Sequence, residues 1–243
     1  MHVPGCIEWL NTVKDTTVRP TDIWICGYPK SGTTWLSEIV SLIMDDGVVD
    51  RVRDRLISDR VPNIIISINS IRNYKWFEEI PDPRITINHL PLKYLPRFEG
   101  KEGKELIADS AAMIATIARF LGKQFTAETV ANITTHCSLK TMRDNPAANK
   151  SDLITRFGKP GQQFLRSGII GDWRAHMTDT QSALFDQRFG QPLRAMGLRV
   201  CDDGLTAERC VRENGHNCIG IRVTTCSLLQ KIVLQLNFVS PVL

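Results

Sequence analysis

The chain has 243 residues, of which 42% are hydrophobic and 23% charged, a composition that suits one α/β domain or such a domain followed by a tail. The net charge of +4, without any dense Lys/Arg block, fits an anionic small ligand and gives little support to a nucleic-acid-binding protein. Because there is no signal-peptide pattern and no apolar window of about eighteen residues, we expect neither secretion nor a membrane span.

A strand, a short polar loop and a helix follow one another over residues 22–46. The apolar run Ile23–Cys26 predicts a buried strand, and apolar residues then recur at helical spacing up to Gly47. Backbone N–H groups of the loop, the helix dipole and the charge of Lys30 together make an oriented anion site, so we predict a phosphate-bearing ligand. Lys30 precedes Gly32, whereas the nucleotide-triphosphatase loop has its lysine after the last glycine. An ordinary strand–turn–helix is the alternative.

The rest of the chain predicts a second strand and further helices. Residues 84–87 form a short segment rich in β-branched side chains, which predicts a buried strand that ends at residues 88–89. Helical periodicity predicts helices at residues 110–121, 127–136 and 186–196. Thr126 is the predicted N-cap of the second helix. Residues 145–165 are rich in Pro, Gly, Asn and Lys and predict a long loop that covers a site.

Seven cysteines are scattered along the chain without a paired framework, four of them from residue 201 onward. The odd count favours free thiols in a reducing cytosol, so we expect a cytoplasmic protein. The cysteines of the tail lack the paired spacing of a zinc site, so we expect no metal. Residues 231–243 are apolar and strand-like.

Three stretches carry the strongest signal. They are residues 28–35 (Tyr-Pro-Lys-Ser-Gly-Thr-Thr-Trp), 89–91 (His-Leu-Pro) and 164–173 (Phe-Leu-Arg-Ser-Gly-Ile-Ile-Gly-Asp-Trp). In this order they resemble the cytosolic sulfotransferases, which move a sulfuryl group from 3′-phosphoadenylyl sulfate (PAPS) to a hydroxyl or amine. The first and third stretches are specific, and the resemblance covers about residues 7–203.

The resemblance implies a role for each matching residue. Lys30 and the loop after it would hold the donor's 5′-phosphate and stabilise the charge that develops there. His89 matches the general base that takes the acceptor's proton, and Arg166 matches the residue that grips the 3′-phosphate. A structural histidine and a salt-bridge arginine are the alternatives. The other donor-binding positions implied are Ser31, Gly32, Thr33, Thr34, Trp35, Ser138, Met142, Phe164, Leu165, Ser167 and Gly168.

The sequence also departs from the family's pattern. Ile87 stands where the family has the lysine of Lys-Thr-His, so a cation beside the transferring group is lost. Residues 91–105 contain neither the motif Arg-Asn-x-x-Asp-x-x-x-Ser nor its apolar strand. The position of the family's adenine-contacting tyrosine falls at about Gly103, so this tyrosine is absent as well. Several dozen residues, including a central strand, are therefore expected to be missing. Of the family's dimer signature only Thr178 remains, which argues against a dimer of the family type.

We therefore predict a three-layer α/β domain with a mostly parallel sheet, a P-loop-like phosphate-binding loop and a reduced number of strands. The domain is expected over residues 1–203, and residues 204–243 are expected to be a poorly structured tail outside the family. The predicted function is sulfuryl transfer from PAPS to a phenol, alcohol, steroid or amine, without a metal, nucleic acid or membrane partner, and with impaired competence. A catalytically inactive binder of adenosine 3′,5′-bisphosphate is the alternative, and a P-loop kinase is a more distant one.

Overall fold

The computed structural model describes much of the first 191 residues and three short strands beyond them. The described residues are 6–27, 29, 32–64, 75–90, 94–96, 102–105, 110–166, 168, 172–191, 199–200, 218–219 and 233–236.

Nine α-helices lie within these ranges. In chain order they are α1 (Cys6–Lys14), α2 (Thr33–Met44), α3 (Ile57–Arg60), α4 (Lys75–Glu78), α5 (Ser110–Phe120), α6 (Ala127–His136), α7 (Leu139–Asp144), α8 (Ser151–Phe157) and α9 (Asp179–Phe185). Short 3₁₀ helices lie at Val49–Arg51 and Asp172–Ala175, and a π-helical turn at Asp186–Gly190 continues α9. No helix in the described ranges is both long and apolar enough to cross a membrane.

The described strands form one four-stranded sheet and one separate pair. The strands are β1 (Ile23–Cys26), β2 (Ile85–Asn88), β3 (Glu102–Glu105), β4 (Arg199–Val200), β5 (Cys218–Ile219) and β6 (Val233–Leu236). The larger sheet has the order β2-β1-β6-β3, and β4 pairs with β5. Strands β1 and β2 run parallel with Ile23 opposite Ile85, and β6 runs antiparallel to both of its neighbours.

The side chains of β1 point alternately to the two faces of the sheet, and all four are buried. Ile23 and Ile25 join a large apolar cluster with α2, α5 and α6, whereas Trp24 and Cys26 join a smaller one with Phe77. A strand that is apolar on both faces belongs inside a sheet covered by helices on both sides. This confirms the predicted three-layer α/β architecture with a reduced number of strands.

Several predicted elements are confirmed close to their expected bounds. The strand at Ile23–Cys26, the helix that follows it and the strand at Ile85–Asn88 all form. Thr126 caps α6, since its hydroxyl accepts a hydrogen bond from the backbone N–H of Thr129 at 3.2 Å. Local periodicity and capping were sufficient in these places because the same residues serve the tertiary core.

Two expectations about helices were wrong. Residues 145–165 were predicted to be a loop, but they contain the helix Ser151–Phe157. The helix has 7 residues, or about two turns, between Pro146 and Gly158, too few for its periodicity to stand out. The last helix was predicted at 186–196, but it begins at Asp179. Its start is set by a capping box in which the Thr178 hydroxyl accepts from the Gln181 N–H and the Gln181 side chain accepts from the Thr178 N–H. Residues 192–198 lie outside the described ranges.

The sheet is more mixed than the sequence indicated. A mostly parallel sheet was expected, yet β6 makes two antiparallel pairs with β1 and β3. Residues 91–105 were expected to lack the family's apolar strand, and the strand that forms there, β3, has the polar sequence Glu-Gly-Lys-Glu and places Gly103 opposite Gln235. A strand from the far end of the chain therefore lies against β1, where an open edge would otherwise present unpaired backbone groups. The predicted boundary at residues 203 and 204 remains a prediction.

A buried ion pair holds the amino-terminal ends of β1 and β2 together. Asp22 and Arg84, each 1% exposed, immediately precede these strands. The Arg84 side chain donates from Nε to Asp22 Oδ1 at 2.6 Å and from Nη2 to Asp22 Oδ2, and its guanidinium carbon lies 4.5 Å from the centre of the Phe77 ring. This anchoring fixes the register of the two strands whose other ends form the candidate site.

Candidate active site

The loop between β1 and α2, residues 27–32, has the backbone features of an anion site, and we name it the phosphate loop after its predicted role. Gly32, immediately before α2, adopts a left-handed conformation with φ 92° and ψ 9°, and no side chain caps the helix. A Cβ atom at Gly32 would meet nothing within 4 Å among the described residues. The first N–H groups of a helix have no acceptor within it, and the dipole makes this end positive. The arrangement fits a phosphate group, and Tyr28, Lys30 and Ser31 lie outside the described residues.

The first turn of α2 is held firmly in place. Thr33 and Thr34 are buried, and the Ser37 hydroxyl donates to the Thr33 carbonyl at 2.7 Å. Trp35 is partly buried against the core, and its Nε1–H donates to the carbonyl oxygen of Cys137 at 2.8 Å. This bond joins the first turn of α2 to the turn that begins α7, where another predicted donor-binding residue, Ser138, lies.

His89 lies at the carboxyl end of β2, next to the end of β1. Its Nδ1 is 2.6 Å from the carbonyl oxygen of Gly27. A carbonyl oxygen only accepts, so Nδ1 carries the proton and Nε2 of the neutral ring carries the lone pair. Burial lowers the pKa of His89 below its ordinary value of 6.5, and the hydrogen bond to Gly27 opposes part of this shift. The histidine is therefore neutral near pH 7, with one nitrogen able to accept a proton.

The stretch that resembles the 3′-phosphate site packs against α7. Arg143 donates from Nε to the carbonyl oxygen of Leu165 at 3.1 Å. Gly168 has φ 63°, a left-handed conformation that favours glycine, and a Cβ atom there would lie 2.9 Å from Cδ2 of the Leu139 side chain. Phe164 and Arg166 are half-buried, and Ser167 lies outside the described residues.

Two predicted donor-binding residues of α7 have clear structural roles. Ser138 is exposed and caps the helix, since its hydroxyl accepts from the Thr141 N–H at 3.2 Å. Met142 is 1% exposed and belongs to the large apolar cluster. The side chain of Met142 therefore packs α7 against the core, whereas Ser138 lies at the surface.

The carboxylate of Glu38 ties the middle of α2 to its neighbours. Glu38 is fully buried and accepts from Arg60 Nη2 at 2.7 Å and from His136 Nε2 at 3.0 Å. Arg60 also donates from Nη1 to the Ser41 hydroxyl at 2.7 Å. A buried charge is retained only when it is paired and hydrogen-bonded, and this network satisfies that condition.

The described surface also contains an open cleft of about 500 Å³. The cleft is lined by residues in and near α7 and by two residues near the end of α2: His136, Lys140, Asp144, Val49 and Arg53. None of the predicted donor-binding residues lines it. The candidate site at the ends of β1 and β2 is therefore separate from this cleft.

The predicted site is thus brought together in part. Hydrogen bonds join the first turn of α2 to the Ser138 turn, α7 to the 164–168 loop, and His89 to the end of β1. Ile87, which replaces a family lysine, is 5% exposed and packs in the large cluster. Sequence reasoning missed the carbonyl of Gly27, although its position at the end of a strand parallel to that of His89 was a usable signal.

Comparisons with known proteins agree with this geometry. The family description "Sulfotransferase domain" matches residues 20–99 and 102–197 of the chain. The match is interrupted at residues 100–101, within the region where the family's motif and strand were found to be missing.

Curated relatives are similar along most of their length. Mouse sulfotransferase 1B1 is 27% identical over 271 residues, covering 81% of this chain and 90% of the relative. Cattle sulfotransferase 1E1 is 24% identical, with coverage of 79% and 90%. Because 81% of 243 residues is about 197, about 74 of the 271 aligned positions of the mouse protein lie opposite a gap in this chain. This supports the predicted internal deletion.

Solved structures share the fold. A retinol dehydratase in complex with androsterone and the inactive cofactor PAP superimposes with a TM-score of 0.62 at 17% identity, covering 77% of this chain and 84% of that one. Mouse sulfotransferase SULT7A1 complexed with PAP gives a TM-score of 0.52 at 18% identity, with coverage of 78% and 91%. Because the sulfotransferase domain family also matches most of this chain, the chain belongs to the sulfotransferase family.

Proposed function

We propose that this protein transfers a sulfuryl group from PAPS to a hydroxyl or amine of a small acceptor, with His89 as the general base. The hydrogen bond from His89 Nδ1 to Gly27 is the observation that carries the proposal. It leaves Nε2 as the proton-accepting atom at the edge of the sheet where the phosphate loop begins. Family membership supports the reaction class, and this geometry supports the choice of His89 as the base.

The bound donor supplies the sulfuryl group and departs as adenosine 3′,5′-bisphosphate. His89 Nε2 accepts the proton of the acceptor's hydroxyl or amine as the oxygen or nitrogen of that group attacks the sulfur of the donor. Because burial keeps the imidazole neutral near pH 7, no prior deprotonation is needed. The N–H groups at Gly32, Thr33 and Thr34 would stabilise the negative charge on the departing phosphate, and each such donor is worth about 3 kcal/mol in related sites.

Lys30 and Arg166 are the proposed cationic contacts to the donor. Lys30 is assigned by its position in the loop, and Arg166 by its position in a loop that Arg143 and Gly168 hold against α7. Trp35, Ser138, Phe164 and Leu165 would line the nucleoside side. Met142, which is buried, would contribute by supporting α7 rather than by direct contact.

The acceptor is proposed only by class. The solved relatives include retinol dehydratase structures with androsterone and with retinol, which are hydroxyl-bearing apolar molecules. An acceptor of similar chemistry, a small phenol, alcohol, steroid or amine, fits the proposed base. A cytoplasmic location fits the buried free thiols of Cys26 and Cys137.

We expect this chain to bind its donor weakly and to turn over slowly. The Arg-Asn-x-x-Asp-x-x-x-Ser motif is missing, and Ile87 packs in the core where a lysine would face the transferring group. Each lost charge-assisted contact costs roughly 1.5–3 kcal/mol, so several together remove orders of magnitude from affinity and rate. Lys30 and Arg166 are the charged contacts that remain.

The test combines labelled-sulfate transfer on a panel of phenols and alcohols with calorimetry of adenosine 3′,5′-bisphosphate. We expect measurable transfer that His89→Ala abolishes while bisphosphate affinity stays within a few-fold. Replacement of the exposed His176 by alanine is the matched control and should leave both quantities unchanged. Lys30→Ala should weaken bisphosphate binding, whereas Lys159→Ala, at an exposed position, should not.

Each alternative has its own result. Bisphosphate binding without transfer to any acceptor would identify an inactive binder. Absence of both would remove the proposed function. Equal transfer by the wild type and His89→Ala would take His89 out of the mechanism, and ordinary turnover with micromolar binding would show that other residues replace the missing motif.

A further inference from the structure

Asn88 occupies the position before His89 and is fully buried. Its Nδ2 donates to the sulfur of Cys26 at 3.0 Å, and its Oδ1 accepts from the backbone N–H of Leu90 at 3.2 Å. One amide side chain therefore connects the end of β1 with the residue that follows His89.

Gly27 and His89 lie between the points that this amide holds. Gly27 follows Cys26, and its N–H donates to the Asn88 carbonyl at 3.3 Å. His89 lies between Asn88 and Leu90. The bond from His89 Nδ1 to the Gly27 carbonyl requires both backbone segments to keep their orientation, because the carbonyl direction is set by the peptide plane.

Cys26 is suited to accept the bond from Asn88. Its side chain is 6% exposed, and burial raises the pKa of the thiol to about 11, so the group stays protonated at neutral pH. The S–H group lies 3.9 Å from the carbonyl oxygen of Trp24, to which it donates, and a sulfur lone pair remains for Asn88. Among side chains of this size, a primary amide offers the donor and the acceptor that this arrangement uses.

We infer that Asn88 is a positioning residue for sulfuryl transfer: through Cys26 and Leu90 it holds His89 in the tautomer and orientation in which Nδ1 donates to Gly27 and Nε2 accepts the proton. The inference rests on the proposed role of His89 as the base. Asn88 itself touches neither donor nor acceptor in this scheme.

The first experiment replaces Asn88 by leucine, which is similar in shape and lacks both polar groups. Nitrogen-15 spectra of the full chain labelled at histidine report the tautomer, with the His89 signals assigned from their loss in His89→Ala. We expect one tautomer, protonated at Nδ1, in the wild type and a mixture in Asn88→Leu. In the transfer assay kcat should fall roughly tenfold to a hundredfold, while the affinity for adenosine 3′,5′-bisphosphate stays within twofold.

Asn149 provides the control because its side chain, like that of Asn88, accepts from the backbone N–H two residues later and donates through Nδ2. Its Oδ1 accepts from the Ser151 N–H at 2.9 Å, and its Nδ2 donates to the Arg143 carbonyl at 3.0 Å. Asn149→Leu should cost a similar amount of stability and leave the tautomer of His89 unchanged.

A second pair of variants decides the question if Asn88→Leu does not fold. Cys26→Ala removes the sulfur that accepts from Asn88 and donates to Trp24 and should give mixed tautomers, whereas Cys26→Ser restores an acceptor and a donor and should recover the single tautomer. A single Nδ1-protonated tautomer with wild-type kcat in Asn88→Leu, or in Cys26→Ala, would overturn the inference. If no variant and no wild type transfers sulfate but the tautomers still shift, the proposed function fails while Asn88 still sets the tautomer of His89.

Discussion

Lys150 is a buried lysine whose replacement by methionine has a calculable effect on stability. The side chain is 6% exposed, and Nζ donates to the hydroxyl of Ser58 at 3.0 Å. Ser58 in turn donates to Asp152 Oδ2 at 2.8 Å, so the chain of bonds links α3 with α8. Lys150 therefore carries its charge in an environment that solvates it poorly.

The magnitude follows from the pKa of the group. Burial, assisted by the charge of Arg60 and opposed chiefly by Asp152, lowers the pKa of Lys150 from 10.5 to about 8. At roughly 1.4 kcal/mol per pKa unit, the shift corresponds to about 3 kcal/mol. Methionine removes the charge and loses one hydrogen bond, worth about 1 kcal/mol. We expect Lys150→Met to be more stable than the wild type at pH 7 by about 2 kcal/mol.

The stability gained by Lys150→Met depends on pH. Between pH 8 and 10.5 the unfolded chain binds more protons at this position than the folded protein, so the contribution of Lys150 to the free energy of unfolding rises with pH. Below about pH 8 both states are protonated and the full cost is present. The advantage of the methionine variant should therefore shrink above pH 8 and disappear by about pH 10.

Urea denaturation of both proteins from pH 7 to pH 10 provides the measurement. The difference between the two isolates Lys150, because Cys26 and Cys137, whose thiol pKa values burial raises, affect both proteins equally. Lys159→Met, at an exposed position, is the control and should show no such trend. A stability difference that stays constant within about 0.5 kcal/mol over this range would show that Lys150 is solvated, and the reasoning would fail.

Three further predictions concern the base, the ion pair and the tail. The transfer rate should fall as pH falls through a His89 pKa that lies below 6.5, and it should be flat near pH 7; a controlling pKa above 6.5 in the pH–rate profile would contradict burial of this histidine. Asp22→Asn removes the buried partner of Arg84 and should lower the free energy of unfolding by about 3–5 kcal/mol, whereas Asp50→Asn in an exposed pair should change it by less than about 1 kcal/mol. Equal stabilities of these two variants in urea would argue that the Asp22 pair is solvated. Deletion of residues 231–243 removes β6 from the edge of β1 and should cause aggregation in size-exclusion chromatography; a monomeric truncation that unfolds cooperatively would show that β6 is dispensable.

Much of the candidate site could be predicted because its signals are local. The strand Ile23–Cys26, the glycine before α2 and the histidine after β2 lie within short segments whose periodicity and turn residues are visible in the sequence. The helix Ser151–Phe157 escaped because a short amphipathic window between a proline and a glycine resembles a loop. Thr178, the surviving residue of a dimer signature, proved to be a helix cap; the spacing of Thr178 and Gln181 is that of a capping box, and their hydrogen bonds establish the role.

By itself the sequence determined the α/β class, the phosphate loop, the candidate base and the absence of the family's second phosphate motif, because each depends on residue types at short and ordered spacings. The tertiary structure decided which distant groups meet. It paired β6 with β1, it placed the carbonyl of Gly27 against His89, and it surrounded Lys150 with groups from α3 and α8. These contacts join residues separated by tens to hundreds of positions, and their geometry follows from how helices and strands pack rather than from any local pattern.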